Sequence, residues 1–538
     1  MKNFTPDQSQ GIHSNANKIK ILAVAGGGKT TVLSERIRRL IGLGVDKSSI
    51  LAMTFTRRMA NELMSRVQGL KYVGTFHSIC LTILEAHPEA VGYQRVSLIG
   101  EEEHNVIIKD IINSNYLKFK SRKLLNKYLS NYYETGKRPI DYNFDLFCKL
   151  YFRFMKKEGL VSYDLLEHLV KVAIPLFEQK FEHVLVDEYQ DTTPIEKDII
   201  KLFNAPNEFV VGDVFQNIYS FRGTTIANLL EFKADEEIGM MDTFRCTIPI
   251  AEFANKVVNM SSLDYPYRIK SIKKGSSVEF IKTADCLGEL KKIIDHYSKI
   301  FNPKDFFILT RTNNQIFAIK EYLADYPIED VNRSVKASLP IAQFTSFLQM
   351  DINLYHDYGV ERFLKIAKMA TLEEIHYWKS IARRERRRLY SVVVAQMPVF
   401  EQWKMMAGRA GSLFDKACGL LSGQGDPETV ENALSLINKY EELYGSSYSD
   451  FIEWVMSSDD LIDDAQTGSM SVMTIHAAKG LENKIVIIPF IEDGVFPSAR
   501  SPIEEELRLM YVAATRASFK LIGIQTGESI FTKGGNQK

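Results

Sequence analysis

Seven short apolar runs in this sequence break off at polar or glycine-rich residues: "IKILAVAGGGKT", "ILAMTFTRR", "HVLVDEYQD", "FVVGDVFQ", "FFILTRTNN", "SVMTIHAAKG" and "KIVIIPF". Segments with helical apolar spacing, such as Thr31–Leu43 and Met59–Val67, follow most of them. Buried strands alternating with helices predict a doubly wound, parallel α/β sheet. Ligands in such sheets sit beyond the carboxyl ends of the strands, so the polar tails are where chemistry belongs. The pattern is interrupted twice, over 101–180 and 331–464, by stretches rich in Lys, Tyr and Leu at helical spacing. The α/β material then falls into two groups, 1–100 with 181–235 and 236–330 with 465–530. Two sheets, each carrying a mainly helical insertion, and a flexible tail over 531–538 are the expected architecture.

A chain of 538 residues is too long for one hydrophobic core, which agrees with several domains. It holds 67 Lys and Arg against 67 Asp and Glu, so any nucleic acid must bind a local basic groove rather than a global field. The five cysteines are far apart and form no Cys-x-x-Cys or Cys/His cluster, which argues against zinc, iron–sulfur clusters and a disulfide framework. No run is apolar enough to span a bilayer, and "MKNFTPDQSQ" lacks the apolar core of a signal peptide; the expected location is the cytoplasm, without a membrane partner.

"AVAGGGKTTV" raises the phosphate-loop question. The P-loop pattern places Gly four residues before its closing Gly-Lys-Ser/Thr, and here that position is Ala23. Gly26, Gly27 and Gly28 still allow close backbone approach to an anion at a helix N-terminus. Lys29 can reach the β- and γ-phosphates of a nucleotide, and the Thr30 hydroxyl can ligate Mg²⁺. "HVLVDEYQD" supplies the partner strand. Asp187 at its end can hold Mg²⁺, and Glu188 can polarise the attacking water.

With these residues in view, the chain resembles superfamily 1 DNA helicases of the UvrD/Rep/PcrA group. "FTPDQSQGI" resembles the adenine-reading Q motif and "AVAGGGKT" motif I, in which Ala at the first position is usual. Val24 and Thr31 depart from that motif. "LAMTFTRRMANEL" and "VGTFHSICLTIL" resemble the early DNA-contacting motifs, and "LVDEYQDT" motif II. "VGDVFQNIYSFRGT" resembles motif III, with Phe221 in place of the usual Trp. "DTFRCT", "ILTRTNNQ", "MTIHAAKGLENKIVIIP" and "EEELRLMYVAATRA" resemble the remaining motifs in order.

The resemblance implies two RecA-like domains, 1A and 2A, with helical insertions 1B and 2B. It implies ATP and Mg²⁺ as cofactors, with Arg245 and Arg516 entering the site from the second lobe and Gln216 sensing the γ-phosphate. Gln8 would read the adenine edge, Phe244 would stack on it, and Glu482 would meet the ribose or the coupling network. Ala25, Gly26, Gly27, Gly28, Lys29, Thr30 and Thr31 would line the nucleotide. Phe55, Thr75, His77, Tyr219, Phe221, Arg222, Asn313 and His476 would touch single-stranded DNA, His77 and His476 not being spaced as metal ligands. The run Arg383, Arg384, Arg386, Arg387 and Arg388 reads as a solvated helix face or a contact with duplex DNA or a partner.

The expected function is an ATP-driven translocase that moves 3′ to 5′ on single strands and unwinds duplexes at single/double-strand junctions. The alternatives are a DNA-stimulated ATPase that remodels protein–DNA complexes or serves a nuclease, replication or repair partner without processive unwinding, and a non-catalytic DNA-binding subunit. Intact Lys29, Asp187, Glu188, Gln216, Arg245 and Arg516 argue against the last. Bacterial, plasmid and phage settings all suit a compact chain of this type.

Overall fold

The computed structural model describes residues 4–135, 137–330, 338–352, 357–401, 412–421, 427–456 and 468–532. Its strands are β1 Lys18–Ala23, β2 Ile50–Thr54, β3 Tyr72–Thr75, β4 Ser97–Leu98, β5 Leu160–Val161, β6 His183–Val186 and β7 Asn207–Gly212. They continue with β8 Glu236–Met240, β9 Glu279–Lys282, β10 Phe306–Thr310, β11 Ile328–Asp330, β12 Met470–Thr474, β13 Asn483–Ile491 and β14 Ala517–Gln525. The first sheet has the order β3-β2-β6-β7-β1-β8 and the second β11-β12-β10-β13-β14-β9, with every pairing parallel. The expected α/β class with two parallel sheets is therefore present.

The seven apolar runs became β1, β2, β6, β7, β10, β12 and β13, which occupy interior positions of the two sheets. Strands covered on both faces need apolar residues throughout, and these runs supply them. The strands outside those runs are mostly edges. β8 reads "EEIGM" and pairs with β1, so residues just past 235 belong to the first sheet and deliver the loop containing Arg245 directly to the phosphate loop. Within 101–180, expected to be mainly helical, one short strand also occurs: Leu160–Val161 pairs in parallel with Ser97–Leu98.

Each sheet has one apolar face of its own, around Ile19, Ile21 and Leu33 in the first and Ile308, Ile485 and Ile522 in the second. The remaining faces share one continuous cluster, from Leu22 and Met53 through Phe144 and Tyr151 to Tyr511 and Val486, so the lobes meet through apolar packing as well as polar contacts. The second insertion is helical where described and has a separate core that includes Phe344, Phe363, Phe400 and Trp454. Gln349 Nε2 donates to Glu103 Oε2 at 3.1 Å, tying it to the first insertion. Arg57 Nη1 donates to Tyr440 Oη at 3.3 Å, tying it to the first lobe.

Arg388, the last residue of the basic run, is ion-paired with Glu158 of the first insertion. Arg384 and Arg387 pair with Glu385; the side chain of Arg383 lies outside the described residues. The tail expected over 531–538 does not begin at residue 531. Phe531 is buried, with its ring centroid 5.1 Å from that of Phe496, and residues 533–538 lie outside the described part. Among the described residues no helix is long and apolar enough to cross a membrane.

Candidate nucleotide and nucleic-acid site

The phosphate loop turns on two left-handed glycines. Gly26 has φ +72° and Gly28 φ +83°, a region that disfavours any residue with a Cβ. Space excludes side chains as well. A Cβ on Gly26 would lie 2.7 Å from both Arg245 Cβ and Thr243 Oγ1, and one on Gly28 would lie 2.8 Å from Gln8 Nε2. Ala23, in contrast, ends β1 buried and outside the left-handed region, so its methyl group is accommodated. Gly28 caps the helix Lys29–Gly42, whose free backbone N–H groups and dipole suit an anion. Thr30 lies in its first turn, and Thr31 Oγ1 accepts a hydrogen bond from Arg66 Nη1 at 3.1 Å.

Lys29 Nζ lies 2.9 Å from Glu188 Oε2 inside the cleft. Burial pulls the Lys29 pKa down, but Glu188, Asp213 and Asp187 outweigh it and the net direction is up. Asp187 follows β6, and its Oδ1 accepts the Glu188 N–H at 2.9 Å. Burial, then the neighbouring Glu188 charge, raises the Asp187 pKa. Burial pushes Glu188 the same way, but Lys29 and Lys479 reverse it and hold this carboxyl below its ordinary range. Asp187 Oδ2 is buried without a hydrogen-bond partner. A buried carboxylate oxygen left unsatisfied is costly, and a hard divalent cation with oxygen ligands is the group that fits it. Glu188 itself is held at φ +52°, a left-handed conformation that is uncommon outside glycine and that aims its side chain into the cleft.

A hydrogen-bond line crosses between the lobes here. The Ala25 N–H donates to Tyr511 Oη at 3.4 Å, and Tyr511 Oη donates to Asp213 Oδ2 at 3.0 Å. Gln216 Nε2 donates to the same Asp213 oxygen at 2.7 Å, and Gln216 Oε1 accepts from Arg516 Nη2 at 3.2 Å. Arg516 is 1% exposed and also donates to the Val512 and Leu481 carbonyls at 3.0 and 3.1 Å. Burial, then the charge of Arg245, depresses its pKa. Arg245 is ion-paired with Glu482 and donates from Nη1 to the Thr515 carbonyl at 3.2 Å. Both arginines therefore lie at the lobe junction, Arg245 in the loop that leaves β8 of the first sheet and Arg516 just before β14 of the second. Glu482 faces Arg245.

Gln8 is held by its own surroundings. Its Oε1 accepts the Thr5 N–H at 3.1 Å in a capping box, and its Nε2 donates to the Gly27 carbonyl at 3.0 Å. Phe244 is 59% exposed, with its N–H donating to the Gly26 carbonyl at 2.9 Å. An aromatic face thus stands free beside the loop.

At the carboxyl ends of β2, β7 and β12 an aromatic cluster gathers. Phe55 stacks on Tyr219 with ring centroids 5.0 Å apart, and Phe221 lies 6.0 Å from Tyr219 and 5.7 Å from His476. Arg222 stands 5.7 Å over the Phe55 ring. Of the expected pair of platform residues, Phe221 is 71% exposed while Tyr219 is 5% exposed and backs the cluster from inside. Asn313 opens the helix Asn313–Tyr322 after β10, beside β12 and His476. Thr75 caps the helix Phe76–Ala86 by accepting the Ser78 N–H at 3.2 Å. His77 Nε2 lies 3.2 Å from Glu167 Oε1, and with Glu196 these groups place possible ligand atoms within 4.8 Å of one another. Acidic neighbours on one side of His77 are a feature that sequence spacing did not disclose.

Sequence reasoning also passed over Asp213, Tyr511, Gln190, Asp191 and Lys479, although each lies in a segment it singled out. Asp213 was the most accessible to it: like Asp187, it is a carboxylate at the end of an apolar run. Nothing local marks Lys479, because its partner Asp191 is on the other lobe.

Residues 4–237 match the family model for the UvrD/REP helicase N-terminal domain, and residues 355–527 match that for the UvrD-like helicase C-terminal domain. The ATP-dependent DNA helicase PcrA of Staphylococcus epidermidis is 26% identical to this chain, covering 96% of it and 82% of the relative. PcrA of Leuconostoc citreum is 27% identical over 96% of this chain and 80% of the relative. PcrA of Staphylococcus aureus is 26% identical over 96% and 82%.

Proposed function

We propose, from the premise that the chain belongs to the UvrD/REP helicase family of ATP-hydrolysing enzymes, that it moves 3′ to 5′ along single-stranded DNA and unwinds duplexes at junctions. The observation that carries this reading is the line Ala25–Tyr511–Asp213–Gln216–Arg516, which joins the phosphate loop to a guanidinium on the other lobe. Hydrolysis of a γ-phosphate is chiefly positioning plus cationic stabilisation, so a cleft that assembles both lobes ties turnover to lobe motion.

In this reading Lys29 binds the β- and γ-phosphates, Gln216 senses the γ-phosphate, and Arg245 and Arg516 neutralise charge that develops on it. Thr30 and Asp187 would hold Mg²⁺, which when bound supplies charge neutralisation of the phosphates. Glu188 orients and deprotonates the attacking water once Lys29 turns from it to the nucleotide. Phe244 stacks on the adenine, and Gln8 reads its edge while fixed to Gly27. The division into 1A (1–100, 181–235), 1B (101–180), 2A (236–330, 465–530) and 2B (331–464), with the 1A/2A boundary moved past β8, which completes the first sheet, is part of the same proposal, as is a protein partner.

Phe221 is the exposed ring of the strand platform, supported by Tyr219 and Phe55. Phe221→Ala is expected to weaken binding of a single-stranded oligonucleotide by ~1–3 kcal/mol, about 5–150-fold, at constant salt in fluorescence anisotropy. A change under about two-fold would remove Phe221 from the platform, because one base stack is worth more than that.

The function is tested with duplexes carrying a 3′ or a 5′ single-stranded tail, alongside ATP turnover with and without oligonucleotide. ATP-dependent displacement on the 3′-tailed duplex only is the expected result. Oligonucleotide-stimulated turnover without displacement on either duplex would favour the remodelling ATPase, and displacement on the 5′-tailed duplex would reverse the polarity.

A further inference from the structure

Lys479 is a second-lobe ammonium sunk between two functional surfaces. Its side chain is 7% exposed and ion-paired with Asp191, which follows the catalytic carboxylates of the first lobe. The same Nζ stands 4.6 Å over the Tyr219 ring and 5.4 Å over the Phe55 ring, both within cation–π range. Asp191 Oδ2 also accepts Gln190 Nε2 at 2.9 Å, and that nitrogen donates to Glu188 Oε2 at 2.6 Å. Gln190 is fully buried, and its Oε1 is fixed by the Asp213 N–H at 2.9 Å. Asp191 Oδ1 is buried without a hydrogen-bond partner, so its carboxylate leans on Lys479. One unbroken set of contacts therefore runs from the aromatic cluster to Glu188.

We propose that Lys479, Asp191 and Gln190 are positioning residues through which an occupied strand platform sets the orientation of Glu188. This deepens the strand-driven reading above and rests on it. A strand on the platform brings a phosphate backbone toward Lys479, and an ammonium is drawn to phosphate. Whatever Lys479 gives up at Asp191, the Gln190 amide must make good, and that amide is one of the two groups holding Glu188 Oε2. Two-sided contacts of this kind are discrete rather than elastic, because a buried carboxylate is not left half-paired. Lys479 reaches across the lobe junction, so the relay is made only when the lobes are together.

The test uses the full chain, a saturating oligothymidine strand, and the ratio of ATP turnover with strand to turnover without it. Strand affinity is measured separately by anisotropy. Lys479→Met keeps length and removes charge, and its ratio is expected to fall by about 5-fold or more. Gln190→Leu should lower the ratio similarly while leaving strand affinity within about two-fold, since Gln190 lies beneath the platform rather than on it. Lys479→Arg should recover part of the ratio, an outcome that loss of folding in the other variants would not produce. Ratios unchanged in both Lys479→Met and Gln190→Leu would overturn the relay alone. No stimulation in the unsubstituted chain would overturn the relay together with the reading it rests on.

Discussion

Arg516→Ala is expected to lower strand-stimulated ATP turnover by roughly 10³–10⁵-fold, about 4–7 kcal/mol of transition-state stabilisation. The expectation rests on position: the guanidinium crosses to the first lobe, meets Gln216 Oε1 at 3.2 Å and is almost wholly removed from water. A cation acts most strongly where solvent cannot screen it. Its anchors to the Val512 and Leu481 carbonyls leave it little freedom, so its charge is already in place when the γ-phosphate arrives. Arg516→Lys should recover little, because an ammonium cannot make those donations and also reach Gln216. Steady-state turnover at saturating ATP measures the loss. A fall of under about ten-fold would mean that Arg516 only ties the lobes together, because a transition-state guanidinium carries far more.

Lys29→Ala is expected to abolish measurable ATP turnover while single-strand binding persists, since the aromatic cluster draws nothing from Lys29. Full turnover in this variant would refute the assignment of the loop. A second effect follows from the pairing at 2.9 Å with Glu188. Removing one member of a buried ion pair strands the other, and here Asp187 and Asp213 share the same cation. Folding stability should drop by roughly 3–5 kcal/mol at neutral pH. The sign with pH follows from Glu188, whose pKa in the folded chain lies below its ordinary value. Stability from that depression is present above about pH 4.3 and is lost as pH falls through the folded pKa, so the gap between the two proteins should close in acid. Thermal melts from pH 7 down to about pH 2 measure this closure, because the Glu188 carboxyl, held down to about 2, keeps its charge until then.

Chemistry confined to one segment was legible without a structure. Two glycines before Gly28-Lys29-Thr30 predict a turn at a helix start, since few other residues tolerate those φ values. Asp187 and Glu188 at the end of an apolar run predict carboxylates at the ligand-binding rim of a sheet. The interior strands other than β14 were equally plain, because burial on both faces demands apolar residues. Edge strands such as β8 and β9 carry one solvent-facing side and read as ordinary loop or helix sequence. β14 was hidden by Lys520, whose buried ammonium donates to the Ser277 carbonyl at 2.8 Å, a partner more than 240 residues earlier in the chain.

What the sequence by itself determined is therefore the inventory: two parallel sheets, a glycine-rich turn at a helix start, a pair of carboxylates at a strand end and the arginines that the family resemblance singles out. Tertiary structure alone decided the pairings, among them Lys479 with Asp191, Arg516 with Gln216, Tyr511 with Asp213 and Arg388 with Glu158. It also decided that Tyr219 is a buried support and Phe221 the exposed ring. The physical reason is range. Backbone propensity and apolar period act over a few residues, whereas a buried charge is satisfied by whichever partner the fold brings within about 3 Å, however distant in the chain.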